Sequence, residues 1–277
     1  MKTKLEYLKK FCKTLIWPLI LSLSQFILIV LFTLFFNMQY LNSLKVQYPN
    51  LNNNQINDKF QEILNSNKYV QELSDFLIDK SVIMIILLAL IILPIITKKY
   101  NSLKKDKITK LTNKEYIKII ITSIFMAVVL NLIMYLFNKL IPFTNRYDSS
   151  STKFYMIIST GIIGPILEEY IFRGMVFNEL KTFNTKKIAL ILTTILFALM
   201  HTELSQIIYA LIIGSYLIYL YTKTNDIKVS IMAHIAINIS TIIFLPFIMS
   251  VNVFIQIALI AILGLGIYQH FKTNDIK

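Results

Sequence analysis

Apolar residues form near-unbroken runs at 15–36, 82–97, 117–137, 154–172, 188–201, 207–221, 229–247 and 251–268. A helix rises about 1.5 Å per residue and satisfies its own backbone, so runs of roughly 20 residues suit a hydrocarbon core about 30 Å thick. With 56% hydrophobic and 16% charged residues and a mean hydropathy of +0.62, the chain carries more apolar surface than a water-soluble core absorbs. The expected fold is therefore all-α, a polytopic transmembrane helical bundle of about eight spans. The first run has no small-residue cleavage pattern and reads as a retained anchor rather than a removed signal peptide. Cys12 is the only cysteine and cannot form an internal bridge.

The net charge of +13 would suit nucleic acid if it formed one patch, but it lies in short loops. Lys2, Lys4, Lys9, Lys10 and Lys13 precede the first run, and Lys98, Lys99, Lys104, Lys105, Lys107, Lys110 and Lys114 follow the second. Segment 37–80 instead balances Lys45, Lys59, Lys68 and Lys80 against Asp58, Glu62, Glu72, Asp75 and Asp79. Positive charge gathers on the cytoplasmic side, so both termini and the 98–114 loop are expected inside and 37–80 outside. The expected partner on these grounds is the lipid bilayer, with no nucleic acid. The chain is expected to be one membrane domain over 1–277. Within it lie a variable part over 1–150 with three spans and the outer loop 37–80, a core over 154–241, and a last span and cytoplasmic tail over 251–277. Phe60, Ile63, Leu64, Leu73, Phe76 and Leu77 recur at helical spacing, which predicts an amphipathic helix in the outer loop.

Ionisable groups inside apolar runs mark the rest. Insertion scales assign about 2.5–3.5 kcal/mol to a charged side chain at a helix centre, so such groups face a protein interior or a wet cavity. Glu168 and Glu169 are adjacent and diverge by about 100° on a helix, whereas Glu169 and Arg173 at i and i+4 can pair. Glu168 then needs a partner from another helix, or takes up a proton. A bland alternative places both carboxylates at the headgroups, ahead of Arg173, Lys181, Lys186 and Lys187. Two of the three histidines, His201 and His234, also lie in apolar runs, and His270 is in the tail. Phe197 shares a face with His201, and His234 with Asn238. Buried histidines often serve only as helix-to-helix hydrogen bonds. Taken together, a carboxylate to activate water, imidazoles to share a proton or bind a metal, and donors for an oxyanion suit amide hydrolysis.

The ordered set Glu168-Glu169-x-x-x-Arg173, Phe197-x-x-x-His201 and His234-x-x-x-Asn238 resembles the three motifs of the CAAX prenyl protease and bacteriocin-processing (CPBP, Abi-type) family of intramembrane proteases. The likeness covers about 154–241 and none of the first 150 residues. It implies an intramembrane endopeptidase, either a metalloendopeptidase or a metal-free glutamate protease. In that scheme Glu168 acts with His201 as general base on water, His234 and Asn238 face the oxyanion, and Glu169 with Arg173 forms a supporting ion pair. Zinc held by Glu168, His201 and His234 is one option for the cofactor, and a metal-free mechanism is the other. The bond cut is expected near the cytoplasmic side, through a cavity open to that side. His201 poses a geometric tension, since it falls about 20 Å along its helix from Lys187, which a low-starting or tilted helix relieves. Glu203 reads as a turn residue or an orienting partner for His201. The alternatives are a noncatalytic bacteriocin-immunity or partner-binding membrane protein and a small proton-coupled transporter, which also uses intramembrane Glu and His. The Lys-, Asn- and Ile-rich composition with two arginines fits a bacterial multi-pass plasma-membrane protein.

Overall fold

The computed structural model describes residues 2–103, 106–140 and 154–273. The regular structure among them is entirely helical. Helix α1 (Lys2–Gln47) is followed by α2 (Asn53–Leu64), α3 (Asn67–Leu103) and α4 (Asn113–Leu140). Then come α5 over 154–180, α6 (Lys186–Ala198), α7 (Leu204–Thr224), α8 (Ile227–Ser250) and α9 (Val253–Thr273). Helix α5 is continuous but not uniform, with π-helical stretches Ile157–Ile163 and Tyr170–Phe177 on either side of an α-helical Gly164–Glu169.

The boundaries have local causes. The Asn52 side chain accepts from the Gln55 N–H while the Gln55 side chain accepts from the Asn52 N–H, a capping box that starts α2. Thr185 caps α6 and Asp226 caps α8 through backbone N–H groups. Asn225 stops α7 by turning left-handed at φ 52°, a conformation that asparagine tolerates better than most residues.

Each of the eight expected runs falls on a helix. Five helices are long and apolar enough to cross a membrane: Lys4–Gln47, Asn67–Leu103, Asn113–Leu140, Leu204–Thr224 and Ile227–Ser250. The run at 188–201 departs from expectation, because α6 has 13 residues, about 20 Å, and stops at Ala198. His201 therefore stands in the turn beyond the helix. The outer segment also differs. Its helix ends at Leu64, and Leu73, Phe76 and Leu77 belong to α3, which passes without a break into the apolar run. The side chain of His270 and residue Lys277 lie outside the described residues, as do Lys104 and Lys105.

Helix α5 sits between α3 on one side and α8 on the other; α4 backs α8, α9 backs α4, and α6 pairs with α7. Helices α3 and α5 run parallel, since Ser81 meets Ser159 near their starts and Tyr100 meets Tyr170 further along. Helix α1 runs back along them, with Phe36 against Phe76 at one end and Trp17 Nε1 donating to Glu179 Oε1 at 3.0 Å toward the other. A separate aromatic core of Leu44, Ile56, Phe60 and Tyr69 closes the α1–α2–α3 end, where Tyr69 Oη bonds Asn37.

Candidate active site

The α-helical turns of α5 between its π stretches carry the two carboxylates. Glu169 is fully buried, and its Oε1 accepts two hydrogen bonds at once. Arg173 Nη1 donates at 2.8 Å from the next turn, and His234 Nδ1 donates at 2.8 Å from α8. Arg173, also fully buried, spends Nη2 on the Gly214 carbonyl of α7 at 3.1 Å and stacks its Cζ 4.6 Å from the Phe197 ring centre. Three helices thus supply partners to the buried pair, while Arg173 Nε and Glu169 Oε2 have no hydrogen-bond partner among the described residues.

Because Glu169 holds the Nδ1 side of His234, the opposite nitrogen is aimed elsewhere. His234 Nε2 lies 3.7 Å from Glu168 Oε2, so the imidazole stands between the two glutamates. Glu168 differs from its neighbour in every respect that matters for reactivity. It has no guanidinium partner among the described residues, its side chain is 30% exposed, and it forms part of the wall of a cavity of about 410 Å³.

Phe197 organises the second half of the site. Its ring takes edge contacts from His201 at 5.5 Å and His234 at 5.8 Å, and packs on Phe172 at 5.2 Å. Such T-shaped contacts match positive ring edges to negative faces. They also settle the question of depth. Phe197, at the end of α6, touches His234 of α8 directly, which brings the turn after α6 level with that histidine. His201 Nδ1 lies 3.3 Å from the Phe197 carbonyl. Among the described residues it bonds neither carboxylate. Asn238 does not stand free as expected of an oxyanion donor, because its Nδ2 donates to the Thr160 carbonyl at 2.9 Å and ties α8 to α5. The close approach depends on Gly161, where a Cβ would meet Ile239 Cγ1 at 3.1 Å. Glu203 is the residue before α7, in the turn.

Glu168, Glu169, Arg173 and His234 thus form one contiguous cluster, with Asn238 and His201 on its flanks. Among the described residues no three His, Cys, Asp or Glu side chains are arranged to hold a metal ion. The suggested set of Glu168, His201 and His234 is not such a group as placed: His234 Nε2 faces Glu168, while the His201 ring lies against Phe197 with Nδ1 near its carbonyl. The cavity also differs from expectation. From Glu168 it runs past Thr160 and Ser159 of α5, Met84 and Ser81 of α3 and Leu28 of α1, toward the 37–80 end of the bundle rather than the lysine-rich end. At the lysine-rich end Trp17 Nε1 donates to Glu179, Asn178 Nδ2 donates to Tyr221 Oη at 2.8 Å, and Lys181 Nζ donates to Asp106 Oδ2 at 2.6 Å. The cavity-lining residues of α1 and α3 gave no motif to find them by.

Residues 150–240 match the family model described as "Type II CAAX prenyl endopeptidase Rce1-like". This part of the chain is similar to that family. All six site residues fall inside the Rce1-like segment, and five apolar helices make the whole a multi-pass membrane protein. Two bacterial proteins are similar over the same order of length. One from Bacillus subtilis, named "Putative membrane peptidase YdiL", is 35% identical over 83 residues, which is 30% of this chain and 34% of that protein. One from Lactococcus lactis, named "UPF0177 protein YxdF", is 35% identical over 80 residues, 28% of this chain and 44% of that protein. The chain thus matches less than half the length of either relative. No solved structure matches.

Proposed function

We propose that the chain is an intramembrane endopeptidase of the bacterial cell membrane that hydrolyses a peptide bond in a peptide or membrane-protein substrate, with Glu168 as general base. The carrying observation is the imidazole of His234 held between a buried, charge-paired glutamate and a partly exposed one that faces a cavity. Glu168 takes a proton from water as the oxygen attacks the carbonyl carbon. Nε2 of His234 lies close enough to receive that proton through a small movement and deliver it to the departing amine as the C–N bond breaks. Glu169 holds Nδ1 so that Nε2 keeps this orientation, the role of the third member in nucleophile–base–orienter systems. Arg173 balances the charge of Glu169, so that Glu168 is the carboxylate left to act. The second Nδ2 hydrogen of Asn238 and protonated Nε2 are the nearest donors for the oxyanion. His201 supports Phe197, and through it the face on which His234 rests.

The test is cleavage of a randomised peptide mixture by the purified full-length protein, with products read by mass spectrometry. Glu168→Gln is expected to lower turnover by about 10²–10⁴-fold, the usual contribution of a positioned acid–base group, with thermal unfolding unchanged. Wild-type rates in Glu168→Gln would end the reading. A chelator is expected to leave the rate unchanged, and inactivation reversed by added zinc would replace the glutamate mechanism.

A further inference from the structure

The cavity beside Glu168 is walled mostly by α1 and α3, outside the Rce1-like segment. We propose that it receives the apolar side chains of the peptide beside the bond being cut, and that Gln25 holds the peptide backbone there; this rests on the endopeptidase reading above. The substrate class follows from the lining. Leu28, Met84 and Leu88 give it an apolar body, and Glu168 is the one charged residue in its wall among the described residues. A lysine or aspartate of the peptide entering this space would be buried without a partner beyond Glu168, which disfavours charged residues at the positions that occupy it. At about 410 Å³ the space is in the range of small-ligand pockets and takes a short run of side chains, not a folded element.

A lipid tail would fill the same apolar volume, and the polar groups decide between the two. Gln25 lies in the middle of the apolar run at 15–36, lines the cavity, and its carboxamide has no hydrogen-bond partner among the described residues. Such a group in hydrocarbon is costly until something answers both its donor and its acceptor. An extended peptide backbone offers an N–H and a C=O together, and an acyl chain offers neither. Ser81 Oγ, 3.4 Å from Ser159 Oγ, adds a hydroxyl in a long contact that leaves it able to bond more strongly elsewhere. The structure therefore assigns the site to peptide, with Gln25 and Ser81 as specificity determinants outside the segment that the family model matches.

Two measurements test this in the full-length protein. In the peptide mixture, wild-type cleavage is expected next to large uncharged residues. Met84→Trp and Ser81→Leu, which fill the cavity from different points, are expected to lower kcat/KM for leucine- or phenylalanine-flanked sites at least about tenfold more than for alanine-flanked sites. Gln25→Leu is expected to raise KM with kcat nearly unchanged. Equal losses for all sites, or none, overturn the assignment. The second measurement does not need cleavage. A leucyl-phenylalanine amide carrying a diazirine is expected to label α1 and α3 beside the cavity in wild type and in Glu168→Gln, and to be competed by unlabelled dipeptide amide. Labelling competed instead by phosphatidylglycerol, or spread over the lipid-facing helices, sinks the peptide assignment. Specific labelling with no cleavage of any peptide by wild type would remove the enzymatic reading and leave the binding site standing.

Discussion

One oxygen, Glu169 Oε1, bonds both Arg173 and His234. Removing either charge of the buried pair strands the other, and a stranded buried charge costs about 3–5 kcal/mol. Glu169→Leu and Arg173→Met are each expected to lower the unfolding temperature strongly. The double variant should recover most of that stability, because apolar replacement of a buried pair is often neutral. It should not recover peptide cleavage, since His234 loses the acceptor that orients it. A double variant no more stable than the singles, measured by thermal unfolding in detergent, would refute this account. At the surface, the hydrogen bond and charge of Lys181 hold the Asp106 carboxyl below its ordinary range. A depressed folded-state value means stability that is present above about pH 4 and lost as pH falls through the folded value. With Asp106 half exposed, the contribution is at most about 1 kcal/mol, so Asp106→Asn should lower the unfolding temperature slightly at pH 7 and leave it unchanged at pH 3. The i, i+4 spacing made the Glu169–Arg173 pair legible in the sequence. Nothing local could show that His234, 65 residues away, completes it, nor that Asn238 reaches for a carbonyl of α5.

At the scale of the elements, the crossing of α6 and α7 sets the position of the site's aromatic floor. A Cβ added at Gly214 would come within 2.9 Å of Phe197 Cδ1. Phe197 is held by Phe172, Arg173, His201 and His234, so its ring has little freedom to retreat. Gly214→Ala is expected to cost about 1–3 kcal/mol of stability through overpacking, and to depress cleavage further by displacing His234. Unaltered stability and rate in this variant would show that the floor yields. Apolar runs placed the helices but misjudged their ends. Residues 37–47 are polar enough to read as loop, yet they contain neither Pro nor Gly, and the packing of Phe36 and Tyr40 on Phe60 and Tyr69 carries α1 through them. The π-helical stretches of α5 were not legible. They are a shift in backbone bonding register, of a kind often found beside functional sites, and side-chain periodicity does not record it.

For the whole molecule, the charge pattern makes a sidedness prediction that the helices alone do not settle. Cys12 is exposed near the start of α1, and Val46 is 82% exposed near its end. In intact cells a membrane-impermeant maleimide is expected to leave Cys12 unlabelled and to label Cys12→Ser/Val46→Cys, with the pattern reversed in inverted vesicles. Labelling of both from one face would discard the assigned orientation. The bundle was legible because lipid demands long apolar helices, and the candidate site because its motifs occur in order. The division of labour between the halves was not, since Leu28, Ser81 and Met84 acquire meaning only when α1 and α3 come to lie beside Glu168.

Helix α1 has 46 residues, about 69 Å at its usual rise, more than twice the thickness of the hydrocarbon core. Between Gln25 and Leu44 it contains no proline and no glycine, and α3 is likewise uninterrupted from Tyr69 to Ser81. The wall of the cleft and the aromatic tip are therefore ends of the same stiff rods. A push on that tip, from a neighbour or from a change in bilayer thickness, would be felt as a sideways displacement beside Glu168, as at the short end of a pair of tongs.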